Sequence, residues 1–349
     1  TKLSVKDQID VEIMHYETVL NLERLRLEKK WLNLDIDTIP KTGLSHVIDG
    51  KEWYSYFLRR WVDSDVTPDK MFDFGLMEIE RVKSRMKLLQ EQTDMDSVSF
   101  QKFIAQESFF YTNTEDIQQA FEMIKKHLAK DLDLSFPFVD RIPDVKIARG
   151  TNKALAKAPA YYIERDSTFY YNYFETPFNK RQVSWIYIHE AMPGHHYQTS
   201  LDKILNRSTI QKLFEYNGFL EGYAAYVEEI GYEIGAYQNI YDELGKWEWD
   251  IIRSLRVAMD VGINYYDWGD DKALEFWQSH LQNKDDIALR EIARMKRWPA
   301  QVITYKYGAD KILKWKESYM KDSEMSLKEF HMIILEHGSL PFSVLENHI

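Results

Sequence analysis

The sequence predicts a mostly α-helical fold with one small β-sheet. Three observations carry this. Apolar residues recur at helical spacing over most of the chain. Glycine and proline are scarce, 14 and 9 in 349 residues, too few turn formers for a many-stranded sandwich. Four of those nine prolines fall between positions 137 and 178, where β-forming residues alternate as in strands.

Taken in order, residues 6 to 32 place Ile9, Ile13, Tyr16, Leu20, Leu22, Leu25 and Leu27 on an amphipathic helix. Pro40, Gly43 and Gly50 mark a loop, and Trp53, Tyr56, Phe57 and Trp61 a short aromatic helix over 51–62. Thr67-Pro68 is a helix start, a capping Thr followed by Pro in the first turn, and the helix runs to about residue 91. Short helices follow over 94–106 and 114–130. Segments 144–149, 160–165 and 168–173 read as strands of a small sheet, next to an active-site cleft. From Lys180 the pattern is helical again, over 180–204, 208–236, 238–264, 269–281, 284–295, 299–321 and 326–336. No repeat, low-complexity tract or linker divides the chain, so one domain over 1–349 is expected, with lobes near 1–135 and 180–349 flanking the cleft.

Composition narrows the function. The formal net charge of −11 argues against nucleic acid as a partner, because phosphate binding needs a basic face. No apolar run reaches the 18 residues of a membrane span. The chain has no cysteine, so a metal would have to be held by His, Asp or Glu. Thr1 stands where Met is usual. The compartment stays open: soluble, and either cytoplasmic or exported after loss of an N-terminal signal.

The chemistry concentrates in Trp185-Ile-Tyr-Ile-His189-Glu190-Ala-Met-Pro193-Gly194-His195-His196-Tyr-Gln198, which holds three of the ten histidines within eight positions. Catalytic zinc takes three protein ligands and keeps one position for water. In a His-Glu-x-x-His helix the two histidines share a face, and the Glu serves as general base. Here Pro193 stands at the second histidine position. On an unbroken helix His195 lies on the wrong face, and His196 about 10.5 Å too far along the axis. Pro193 cannot donate to the His189 carbonyl, so a local break is expected to return either His195 or His196 to the metal. A third ligand is expected on Phe219-Leu-Glu221-Gly-Tyr-Ala-Ala-Tyr-Val-Glu228-Glu229. Glu221 and Glu228 share one face there, and Gly222, Ala224 and Ala225 permit close helix packing. A solvent-facing role suits Glu229 best and Glu221 least.

His189-Glu-Ala-Met-Pro-Gly-His-His-Tyr-Gln198 resembles the His-Glu-Ala-x-Pro-Gly-His-His signature of the DUF885 family, bacterial proteins grouped with zincin-type metallopeptidases. Further blocks agree over about residues 50–349. They include Gly50–Leu58, Glu221–Glu228, Arg256–Gly262, Pro299–Gly308 and Gly338–Pro341. The family usually has His at the position of Asn264, Gly at Ala300 and Trp at Tyr223. The resemblance implies a helical zincin-like architecture, with His195 favoured over His196 because a Gly precedes the second ligand in several helical zincins. It implies one zinc ion held by His189, His195 and Glu221, with Glu190 as general base, Glu228 orienting a ligand, and Tyr305 stabilising the oxyanion. The expected activity is zinc-dependent hydrolysis of a peptide or small amide through a metal-activated water. The alternative is a catalytically inactive zincin-like protein that binds metal or peptide.

Outside the motif, Arg256 either pairs with Asp260 at helical spacing or binds a substrate carboxylate. Lys306 faces the cleft or solvent. Tyr162, beside Tyr161 on an expected strand, is a candidate for aligning an extended substrate along a sheet edge.

Overall fold

Helices α1 (Val5–Lys30), α2 (Gly50–Trp61), α3 (Pro68–Glu91), α4 (Ser97–Ile104) and α5 (Thr114–Leu128) open the chain in the computed structural model. Then come strands β2 (Lys146–Arg149), β3 (Ala160–Ile163) and β4 (Thr168–Tyr171), flanked in sequence by two short strands that pair with each other, β1 (Phe110–Tyr111) and β5 (Phe178–Asn179). Helices α6 (Val183–Glu190), α7 (His195–Ile204), α8 (Asn217–Glu229), α9 (Ile240–Asn264), α10 (Asp270–His280), α11 (Asp285–Arg297), α12 (Thr304–Lys321) and α13 (Leu327–Leu335) complete it. The structure describes residues 3–30, 32, 42–174, 176–321 and 324–349. The loop expected at Pro40 lies outside them, as does position 31 near the expected end of the first helix.

Several predicted starts are visible as caps. The Thr67 side chain accepts from the Lys70 N–H, with Pro68 in the first turn. Asp96 accepts from Ser99 N–H and Asn113 from Asp116 N–H, which start α4 and α5 later than or close to the predicted positions. On α1, Ile9, Ile13, Leu20 and Leu27 are buried, but Leu22 and Leu25 are exposed, so the apolar stripe is narrower than the sequence suggested.

Two segments depart from the expected helices. The stretch 208–236 contains only α8, preceded by turns. Ser208 and Gln211 bond each other's backbone N–H through their side chains and close a turn that does not propagate. The stretch 180–204 is two helices, discussed below. Before α12, Ala300 adopts φ 67°, the left-handed region that a glycine fills more easily.

The sheet has the order β2-β4-β3, with β2 parallel to β4 and β3 antiparallel to it, so β3 is an edge strand. One apolar core gathers α5, the sheet, α6, α8 and the C-terminal helices. A second gathers α2, α3, α9, α10 and α11. Helix α3 lies along α9 and α8 along α12. In the second pair, a Cβ placed on Gly222 would sit 2.4 Å from the Gly308 Cα, so only glycines allow the two backbones this close.

Between these layers lies a buried charge network. Lys306 Nζ is 2.6 Å from Glu78 and 2.7 Å from Asp250. Lys246 bridges Glu229 and Asp250, and Arg81 bridges Glu78 and Glu229. Three cations balance three carboxylates. Lys306 therefore faces neither cleft nor solvent, and Glu229, which the sequence suited to the surface, is held in ion pairs with its side chain 8% exposed.

Candidate metal centre

Helix α6 is apolar almost all round, and its seven residues from Val183 to His189 are buried, which fixes it in the core. Helical hydrogen bonding ends with Ala191 N–H to Tyr187 O and restarts with Gln198 N–H to Gly194 O. Between them the Met192–Pro193 bond is cis. The role of Gly194 is steric. A Cβ there would lie 1.9 Å from the His189 carbonyl oxygen and 2.3 Å from that of Ile188. The bare glycine lets the chain fold back over the end of α6 and start α7 directly above it.

That reversal sets the His189 and His195 rings 4.8 Å apart at 84°. Glu221 approaches from α8. Its Oε2 is 3.4 Å from His195 Nε2 and 3.8 Å from His189 Nε2. One ligand atom from each residue lies within 4.8 Å of the others, the one such group of three among the described residues. His196 points elsewhere. Its Nδ1 contacts Tyr162 Oη at 3.0 Å, and its Nε2 the Pro143 carbonyl at 2.7 Å. The geometry thus brings together His189, His195 and Glu221, and leaves His196 as a buried brace between α7 and the sheet.

The remaining ring nitrogens are held. His189 Nδ1 is 2.6 Å from Glu228 Oε1, and Arg253 donates to both Glu228 oxygens at 2.8 and 2.7 Å. Glu228 is fully buried, and Arg253 holds its carboxyl below the usual range although burial pushes it up. As acceptor it places the His189 proton on Nδ1 and leaves Nε2 free to ligate. His195 Nδ1 faces Gln198 Oε1 at 3.2 Å.

Two imidazoles, each with its other nitrogen held by a side chain, and one carboxylate are a donor set that suits zinc. The electrostatics agree. Burial raises the Glu221 carboxyl, but the His195 hydrogen bond and charge bring it down to about 2. Burial lowers His195, but Glu221 lifts it to about 9. Without a metal, one proton ties the two together, and a cation can take its place.

His189 and Glu190 line a cavity of about 470 Å³ with Trp185, Trp249, Arg253 and Tyr305. Burial pushes the Glu190 carboxyl above its usual range, against the nearby His189 and His195. The Tyr305 ring lies 6.5 Å from that of His189, and burial raises its hydroxyl pKa, which keeps the phenol protonated. The cavity wall includes Pro159 and Ala160, where edge strand β3 begins.

One expectation needs correction. Arg256 does not pair with Asp260. Its Nε is 2.8 Å from Glu291 Oε2 on α11, and Asp260 accepts instead from Tyr54 Oη and the Ala300 N–H. Arg256 reaches the cavity wall beside a carboxylate that it shares with Arg290 and Arg294. Tyr162 lies on edge strand β3, with its hydroxyl 3.0 Å from His196 Nδ1 and its side chain outside the cavity lining. The link of Arg253 to Glu228 crosses from α9 to α8, and no spacing within one helix signals it. Asn264, where the family usually has His, binds Leu44 N–H, the Asp260 carbonyl and the Met295 carbonyl, and so ties the α9 end to its neighbours.

Fold and cluster define a mostly helical protein with a two-histidine, one-carboxylate candidate metal centre facing a polar cavity. The chain belongs to the family described as bacterial protein of unknown function, DUF885, whose model matches residues 14–349. No curated protein matches it. Among solved structures it is similar to a putative lipoprotein from Colwellia psychrerythraea, with a TM-score of 0.78 at 22% identity over 88% of this chain and 56% of that one. It is also similar to a putative lipoprotein of unknown function from Shewanella oneidensis, with a TM-score of 0.71 at 18% identity over 91% of this chain and 63% of that one. The chain spans less than two thirds of either neighbour's length, and at these identities the likeness is one of fold.

Proposed function

We propose that this protein is a zinc-dependent hydrolase of peptide or small amide bonds, of zincin-like architecture. The observation that carries this is the convergence of His189, His195 and Glu221, with His189 also lining a cavity beside Glu190. When bound, zinc would polarise a substrate carbonyl and acidify a water molecule at neutral pH.

The chain's own groups account for the rest. Glu190, held partly desolvated, accepts a proton from the attacking water and returns one to the leaving amine. The Tyr305 phenol donates toward the carbonyl oxygen as negative charge develops on it. Glu228, clamped by Arg253, keeps His189 in one tautomer and one orientation. Edge strand β3 offers backbone groups to an extended substrate. The lipoprotein descriptions of the two neighbours favour an exported protein. No helix of the described residues is long and apolar enough to cross a membrane.

The test is direct. Purified protein should hold about one zinc per chain. A peptide-library digest should show hydrolysis that Glu190→Gln abolishes while zinc is retained. A metal-free active protein sinks the reading, and a zinc-loaded protein that binds but never cleaves peptides leaves the inactive alternative.

A further inference from the structure

The molecule is acidic overall, at a formal −11, yet the cavity beside the histidine cluster is basic. Lys157, Arg253, Arg256, Arg290, Arg294 and Arg297 line it, against the carboxylates of Glu190 and Glu291. Arg253 is matched from behind by Glu228. Glu291 then stands alone against three guanidiniums, 2.8 Å from Arg256, 3.0 Å from Arg290 and 3.8 Å from Arg294. Burial lowers Arg256 to about 10, with Arg294 adding to this and Glu291 opposing it. Arg290, Arg294 and Arg297 follow at four- and three-residue spacing and so share one face of α11. The side chains of Arg290 and Arg294 remain 25% and 30% exposed, so they can take a further anion. Arg294 Nη2 lies 3.5 Å from Tyr305 Oη, which links this wall to the histidine cluster.

We propose that this α11 wall binds a carboxylate of the substrate, so that the protein acts on peptides that carry one close to the scissile amide. Planar guanidiniums hold carboxylates bidentately, and one bound carboxylate would offset the excess charge that Glu291 leaves. The carboxylate comes either from a peptide's C-terminus or from an acidic side chain. The inference rests on the hydrolase reading only for the scissile amide; the binding itself does not.

Three probes separate the outcomes: N-acetyl-Ala-Ala as free acid, the same peptide as C-terminal amide, and N-acetyl-Ala-Glu amide. Calorimetric titration of the metal-free protein should show the free acid, the Glu peptide or both binding at least about tenfold more tightly than the neutral amide. Which one does so identifies the source. Arg290→Gln should reduce that preference several-fold. Equal binding of all three probes by the wild-type protein, which needs no variant to fold, overturns the proposal, as does an undiminished preference in Arg290→Gln. Zinc-loaded protein should then cleave the preferred probe fastest. Cleavage without preference would overturn the carboxylate wall and leave the hydrolase reading intact. Preferential binding without any cleavage would do the reverse.

Discussion

Glu228 Oε1 and His189 Nδ1 lie 2.6 Å apart, with both residues buried and Arg253 holding the carboxylate from the far side. The candidate centre is therefore built from α8 and α9 as much as from the histidine stretch. Replacing the carboxylate should loosen zinc without removing any ligand. Glu228→Gln should weaken zinc about 10- to 100-fold, measured by competition with a chromogenic chelator. Unchanged affinity would mean that Glu228 does not orient His189.

The neighbouring histidines should behave oppositely. His195→Ala should lose bound zinc. His196→Ala should keep it and lose about 2 kcal/mol of stability, because the Tyr162 hydroxyl and the Pro143 carbonyl lose their partner. Zinc content and denaturant unfolding of the two variants check this, and the reverse pattern would exchange their roles.

Gly194→Ala tests the reversal itself. The added methyl meets the His189 and Ile188 carbonyl oxygens, backbone atoms that cannot swing aside. A stability loss of about 3 kcal/mol is expected, together with loss of zinc, because the collision falls on a ligand residue. A variant as stable and as well metallated as the parent would show that the backbone relaxes there without cost.

Lys306→Ala should destabilise by about 3–5 kcal/mol, since it leaves Glu78 and Asp250 short of a buried cation. Urea unfolding measures this. A loss below about 1 kcal/mol would mean that water enters the network and screens it.

Asp260 supplies the pH prediction. Burial raises its carboxyl from 3.8 to about 7, against the hydrogen bonds from Tyr54 and Ala300. Between those values the folded chain binds a proton that the unfolded chain has released. Asp260 therefore removes stability as pH rises from about 4 to 7, and below about 4 it has no such effect. Asp260→Asn abolishes this slope. Its stability relative to the parent should be more favourable at pH 8 than at pH 5 by more than about 1 kcal/mol. A difference that does not vary with pH would place the Asp260 titration below this window.

Much of the fold was legible because periodicity and caps are local. Thr67-Pro68, the three strands and the long helices from 240 to 335 read directly. The segment 208–216 misled because Ser208 and Gln211 satisfy their backbone within one turn, which apolar spacing does not register. At the site, the Pro193 break was visible as a conflict between helical geometry and histidine spacing. The direction in which each histidine then pointed was not, since it depends on Glu221 and Tyr162 arriving from remote elements. The partners of Arg253, Arg256, Asp260 and Lys306 lie on other helices, and no spacing within one helix encodes them.

The contact of Gly222 with Gly308 has a mechanical consequence. Gly222 adjoins the candidate ligand Glu221, and Gly308 follows Tyr305 by three residues, about one turn. Backbones pressed together at that point cannot slide or part without leaving a void. The Glu221 and Tyr305 backbones are therefore fixed relative to each other, and any rearrangement between α8 and α12 has to open that glycine contact first.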